Sequence, residues 1–595
     1  MSRSTVLLYP RCGMRRVRSA KSCGALRQAP HVMVQSTTVS SRRSMAVVSD
    51  ASIYPGYSKS PEALREEEFP HMKNGVYLDH SGATIYARST VDSFAHKMSS
   101  GLYGNPHSAN EPAKLSGEVV DAVRAKTLRF LGADPRHFDL VFVANATAAI
   151  KLVADSFRDL AEKTRTRSFW YGYHKESHTS LVGVRELTGG DHHCFERDAD
   201  LAAFLEDPGR GWHGPGSGGG GDGLVRRRQV TGLGLLAYPG QSNLSGRRLP
   251  LSWTRRLRES RPLQNTYSLL DAAALAMTSP LNHVFADPAA APDFTCVSFY
   301  KIFGFPDLGG LIVRRDSGHI LTLRKYFGGG TVTMVSAVGG AWHKSKGLES
   351  SSSVGGDEHQ FQLSNDSHHQ YSIHDGLEDG TLPFHSILAL GEAIDVHTRL
   401  FGSMDAVSRH TSRLVRQLYE GMRSLRHANG QPVCRIYGQD EDHEYGGHGF
   451  GDPRRQGATV AFNVFRADGS YVPYSDVERL ANERGIYIRS GGICCPGGLF
   501  TALQYEPWEL DRARSAGHHC GSDGLSLIHQ LPTGVVRASL GAMSTTQDVQ
   551  AFIGFLRDVF VVTSDAMDAR IPSVTETNLG SFTERQEEQA TAACA

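Results

Sequence analysis

Several things are missing from this sequence, and each absence excludes something. No apolar run approaches the roughly 20 residues that a membrane-crossing helix needs, so no membrane partner is expected. Neither sign of charge is in excess, with 63 lysines and arginines against 62 aspartates and glutamates. No basic block stands out in the part that reads as folded, so no nucleic-acid partner is expected. Cysteine is sparse, nine dispersed through 595 residues. An odd, scattered set makes no disulfide framework and points to a reducing, intracellular setting. No pair of CxxC motifs occurs, and no metal site is expected.

The length is too great for one compact core, so two or more domains are expected. Residues 1–50 stand apart: Arg15, Arg16, Arg42 and Arg43 lie among many serines, and no acidic residue precedes Asp50. This reads as a mitochondrial transit peptide or a disordered leader, leaving cytoplasm or mitochondrion as the location. Gly-rich 208–223, Ser/His/Gly-rich 337–369 and 438–456 read as surface insertions, and 566–595 as a loose tail.

In the remainder, short apolar runs near residues 140, 235, 270, 295 and 310 alternate with helical patterns. The first helix, ended by Gly132, is expected to present Leu115, Val119, Ala122 and Val123 on one face. That alternation predicts an α/β fold: a mostly parallel, helix-covered sheet in a large domain (72–384), followed by a smaller α+β domain (385–565). Ligands of such sheets sit at the carboxyl ends of the strands.

Two strand ends carry charge. The run Phe294 to Phe299 is followed by Lys301, and Leu269-Leu270 is followed by Asp271. A lysine delivered to the end of a buried strand should be neutral, paired or covalently consumed. An amine and a carboxylate on successive strand ends suit pyridoxal phosphate, one for the aldehyde and one for the ring nitrogen. After Val143, the segment Asn145-Ala146-Thr147 opens a helix, and its free N–H groups with a threonine hydroxyl would suit a phosphate. His178 is either a water-facing residue of a first helical turn or an imidazole over a flat ring. Asn243 is either a turn residue or a donor to a ligand. Cys494 and Cys495 lie between Gly491-Gly492 and Gly497-Gly498, a spacing that predicts a loop able to swing a thiolate. Thr545 and Asp548 are spaced as a capping box.

Taken together, Leu78-Asp79-His80-Ser81-Gly82-Ala83-Thr84, Asn145-Ala146-Thr147-Ala148-Ala149, Glu176-Ser177-His178-Thr179-Ser180, Gln241-Ser242-Asn243-Leu244-Ser245-Gly246, Leu270-Asp271-Ala272-Ala273, Ser298-Phe299-Tyr300-Lys301, Glu378-Asp379-Gly380-Thr381 and Thr533-Gly534-Val535-Val536-Arg537 resemble the class V aminotransferase (NifS-like) family. Within it, the likeness is to the N-terminal desulfurase domain of molybdenum cofactor sulfurases. The resemblance implies a fold type I homodimer that uses pyridoxal 5'-phosphate to turn L-cysteine into L-alanine, with the sulfur passing to an enzyme cysteine as a persulfide. It implies that Lys301 holds the cofactor aldehyde and Asp271 the ring nitrogen. His178 would stack on the ring, while Ala146, Thr147 and Ser298 hold the phosphate and Thr381 reaches the phosphate of the neighbouring subunit. Asn243 would contact the cofactor or the substrate carboxylate, Arg537 would clamp that carboxylate, and Cys494 would be the nucleophile. The sequence departs from the family at Gly492 and Cys495, where the sulfurase loop has a cysteine and an asparagine, and at Ala274, where many relatives have a glutamine. No MOSC domain follows, so the sulfur acceptor is expected as a separate molecule. Other class V reactions (selenocysteine lysis, epimerisation, kynureninase-like cleavage) and an inactive scaffold are the alternatives.

Overall fold

Successive residues of the strand Gly234–Pro239 enter opposite cores: Leu236 and Tyr238 join one, Leu235 and Ala237 the other. Period-2 alternation in a strand apolar on both faces produces this, and it explains why the run reads as continuously apolar. A computed structural model describes residues 54–164, 166, 168–208, 232–346, 372–438, 449–519 and 524–563. The leader, the tail, most of the first two insertions and the acidic part of the third lie outside the described residues.

Seven strands form the main sheet: β1 (Phe138–Val143), β2 (Trp170–His174), β3 (His192–Phe195), β4 (Gly234–Pro239), β5 (Thr266–Asp271), β6 (Phe294–Ser298) and β7 (Gly309–Arg314). Their order is β1-β7-β6-β5-β4-β2-β3, and only β7 runs against its neighbours. The expected mostly parallel sheet is therefore present, and six carboxyl ends share one edge. A second sheet is fully antiparallel, in the order β8 (Cys434–Tyr437), β9 (Thr459–Val464), β11 (Val535–Ser539), β10 (Arg489–Gly491). It has its own core, to which Val460, Phe462, Val536, Leu414 and Phe552 belong.

Helices start where side chains replace missing backbone acceptors. Asn110 caps α1 (Glu111–Leu131), and Asn145 caps α2 (Ala146–Lys163). Single turns α3 (Thr179–Val182) and α4 (Tyr300–Phe303) follow β2 and β6. α5 (Phe384–Phe401), α6 (Met404–Ser424), α7 (Pro496–Leu503) and α8 (Thr546–Phe560) complete the frame. Thr545 and Asp548 form the expected capping box on α8.

Some expectations are corrected. The buried stripe of α1 is Ala113, Ser116, Val120, Val123, Thr127 and Leu131, while Leu115 and Ala122 are exposed. The helix is turned so that the residues spaced to meet α5 go inward, and Leu115 is left outside. Residues 449–456 are not a loose insertion: Phe450 is buried and stacks on Tyr419, and buried Gln456 donates to the Ser245 carbonyl at 2.8 Å. In the second insertion, Trp342–Ser345 pairs with Val332–Ser336 as an exposed hairpin. Among the described residues, no helix is long and apolar enough to cross a membrane.

Burial sets an acid limit on this fold. The imidazoles of His80, His397 and His410 are pushed down by burial to about 3, about 4 and about 4. His397 lies edge-on among Phe130, Phe303 and Phe401. The unfolded chain binds protons at these sites below about 6.5, whereas the folded chain does not. Stability is therefore complete above that value and falls as pH drops towards 4. At pH 5 each histidine removes about 2 kcal/mol. The urea midpoint is expected to fall clearly between pH 7 and pH 5, and less so in His397→Leu. Equal midpoints at the two pH values would contradict it.

Candidate active site

Five of the parallel strands release their chains into one place. After β1, Asn145 Oδ1 accepts the Ala148 N–H (3.0 Å) and starts α2. The Ala146 N–H donates to Ser298 Oγ at 3.1 Å, which ties the start of α2 to the end of β6. Thr147 Oγ1 lies 2.8 Å from Ser180 Oγ, which ties it to α3. Ala146, Thr147 and Ser298 thus meet at the positive end of a long helix, as expected for residues that hold an anion.

After β2 comes His178, the cap of α3, whose Nδ1 accepts the Ser180 N–H at 3.1 Å. That leaves the proton of the neutral ring on Nε2. Burial pushes this imidazole down; nearby Asp271 opposes the shift and Lys301 reinforces it. Asp271 ends β5 and is 8 % exposed. Its Oδ1 accepts the Ala273 N–H at 3.0 Å and the Cys296 S–H at 3.6 Å. Lys301 sits on α4, just past β6. Burial lowers its amine, Asp271 works against this, and Arg537 and Arg489 add to it. Among the described residues, neither Lys301 nor Asp271 has an ion-pair partner within salt-bridge distance. A buried carboxylate and a poorly solvated amine left in this state fit a protonated pyridine and an aldehyde.

Beyond β4, Asn243 faces both sheets. Its Nδ2 donates to the Ile493 carbonyl at 2.7 Å. Its backbone and side-chain oxygens accept from Arg537 Nη1 at 2.9 and 3.1 Å. Arg537, on β11, is completely buried, and Nη2 donates to Asp79 Oδ1 at 2.9 Å. Its Nε is buried with no partner among the described residues. Asp79 has no role in the sequence reading, although it belongs to one of the quoted motifs. The missing signal is non-local: the parallel bridge between Asp79 and Ser539 sets it beside Arg537.

The cysteine segment differs from expectation. Residues 491–498 are pinned, not free to swing. Ile493 is buried, and the Cys494 carbonyl accepts the Thr179 N–H at 3.0 Å. The fully buried Cys495 thiol donates to the Glu176 carbonyl at 3.4 Å, and the Glu176 carboxylate accepts the Ser242 hydroxyl at 2.6 Å. Gly497 and Gly498 lie on α7, where a Cβ would come within 2.5 Å of the Lys175 carbonyl and 2.6 Å of the Glu176 carboxylate. These glycines permit close packing instead of motion. Within this segment Cys494 alone is exposed, at a left-handed φ of 52°. Burial pushes the Cys495 thiol well up, against thiolate formation.

Thr381 is not gathered with the others. It is exposed, 3.4 Å from Asn105 Nδ2, and the neighbouring Gly380 carbonyl is 3.0 Å from His107 Nε2. The glycine-rich stretch before it approaches Asp379, whose Oδ1 accepts the Gly328 N–H at 2.8 Å.

A family model, Aminotransferase class-V, matches residues 76–182 and 338–552. The molybdenum cofactor sulfurase of Aspergillus niger is 46% identical over 523 residues, which is 88% of this chain and 57% of that protein. That of Botryotinia fuckeliana is 47% identical over 509 residues, 85% of this chain and 56% of that protein. The chain thus spans a little over half the length of these curated relatives. Among solved structures, an apo cysteine desulfurase from Thermococcus onnurineus superposes with a TM-score of 0.57 at 17% identity, covering 84% of this chain and 97% of that one. A cysteine desulfurase from Escherichia coli gives 0.54 at 17% identity, covering 84% and 98%. These likenesses carry the fold.

Proposed function

Since this chain belongs to the class V aminotransferase family, we propose that it is a pyridoxal phosphate-dependent cysteine desulfurase. It takes L-cysteine to L-alanine and keeps the sulfur as a persulfide on Cys494. The observation that carries this reading is the pair formed by Lys301 and Asp271, a poorly solvated amine and a buried carboxylate, neither with an ion-pair partner among the described residues. They lie within electrostatic reach of each other, and the side chain of Cys494 is exposed.

Ala146, Thr147 and Ser298 would hold the phosphate group, and Lys301 Nζ would hold the aldehyde until the substrate amine replaces it and frees the lysine amine. When bound, pyridoxal phosphate supplies an electron sink for the substrate Cα. Asp271 keeps a proton on the ring nitrogen, and the neutral His178 ring covers one face. Lys301, its amine lowered by burial, takes the proton from the substrate Cα. Asn243 and Asp79 aim Arg537 at the substrate carboxylate. The Cys494 thiolate then attacks the substrate sulfur. An S–S bond forms and the Cβ–S bond breaks, its electron pair going to Cβ, which takes up a proton as alanine leaves. Thr381 contacts the phosphate bound by the second subunit of a homodimer. The sulfur goes on to an acceptor, and the molybdenum cofactor named for the relatives is the first to try.

The test is incubation of the purified protein, loaded with pyridoxal phosphate, with L-cysteine. Alanine and, with a thiol reductant, sulfide are expected in equal amounts, and mass spectrometry is expected to find one added sulfur on Cys494. A loaded protein that forms no alanine would remove the proposal.

A further inference from the structure

We propose that Arg489 is a second substrate-binding residue, whose guanidinium shares the carboxylate of the amino-acid substrate with Arg537. The inference rests on the desulfurase reading of the site. β10 pairs with β11 so that Arg489 stands directly opposite Arg537. Residues opposite each other in an antiparallel pair project from the same face, with Cβ atoms about 5 Å apart, and like charges so placed destabilise the sheet.

One of the two cations is compensated. Arg537 has Asp79 on Nη2 and both Asn243 oxygens on Nη1, which leaves one Nη2 hydrogen and the buried Nε–H without a partner among the described residues. Arg489 has no ion pair and no side-chain hydrogen bond among the described residues, and it is only part-buried. It also sits on the strand that leads into Cys494. Its charge acts on Lys301, His178 and Arg537, in keeping with its position opposite Arg537. The sheet thus sets a second guanidinium opposite one that Asp79 already neutralises, and a further anion would balance it. A substrate carboxylate has two oxygens, and a guanidinium grips both with parallel N–H bonds. Arg537 is already held by Asp79 and Asn243, whereas the Arg489 fork is uncommitted among the described residues.

The test compares wild type with Arg489→Gln on two substrates, L-cysteine and L-cysteine methyl ester, which lacks the carboxylate. A hydrogen-bonded charge contact corresponds to roughly 10- to 100-fold in binding. For L-cysteine, kcat/KM is expected to fall by about that factor, mainly through KM, while the ester changes by less than about three-fold. Arg489→Lys, which keeps the charge but not the fork, is expected to recover part of the loss. Calorimetry with 3-mercaptopropionate, a thiol carboxylate without an amine, is expected to show at least about ten-fold weaker binding in Arg489→Gln. Equal losses on the two substrates, or unchanged binding of 3-mercaptopropionate, would overturn the inference. A wild type inert towards L-cysteine would instead overturn the desulfurase reading, and calorimetry would still decide the role of Arg489.

Discussion

Lys301→Ala is expected to lose at least about a thousand-fold in alanine formation from L-cysteine, with the protein still folded. Two roles depend on this amine: holding the cofactor aldehyde and moving the proton at the substrate Cα. The fold does not rest on it. Lys301 sits on a single helical turn with no ion-pair partner among the described residues, and burial disfavours its charge. Removing a poorly solvated cation leaves stability unchanged or slightly raised. Thermal unfolding of the variant without cofactor should therefore match the wild type. Its absorbance with added pyridoxal phosphate should lack the band of a lysine-bound aldehyde. A variant retaining more than about a tenth of wild-type turnover would show that the lysine is not the group the reaction depends on.

The two adjacent cysteines are expected to separate by function and stability. Cys494→Ala should lose about a hundred-fold or more in alanine and sulfide formation and carry no persulfide, with an unchanged unfolding midpoint. Its side chain is exposed, so little packing is lost. Cys495→Ala should keep the persulfide on Cys494 but unfold more easily, by about 1–2 kcal/mol. Its thiol fills a fully buried space and donates to Glu176, which in turn accepts from Ser242. Loss of that clamp should also lower turnover by a few-fold, because the clamp holds Cys494 in place. Cys495→Ser restores the donor and should recover part of both. A persulfide found on Cys495, or a Cys494→Ala variant with full turnover, would reverse the assignment.

Local chemistry accounts for what could be read early. A strand buried on both faces tolerates charge only at its ends, so Asp271 and Lys301 stood out from continuous apolar runs. Asn145 and the Thr545–Asp548 pair announced helix starts because a cap acts within three residues of itself. Where burial had to be assigned to one of several similar residues, the reading failed. Leu115 has the right chemistry for a core but the wrong side of α1, and Gly497 and Gly498, which read as hinges in the sequence, mark close contact. The chemistry of neighbours in sequence says little about neighbours in space.

The chain by itself determined the mostly parallel sheet and the places where charged strand ends and a capped helix start fall along its carboxyl edge, all matters of period, strand ends and helix starts. Only the tertiary structure decided that Asp79 holds Arg537, 458 residues away. It alone separated Cys494 from Cys495 and set Arg489 across from Arg537. Those choices follow from the register between distant strands and from which of two equal side chains meets solvent. A shift of one residue in pairing would turn every side chain to the other face, and no local pattern encodes that.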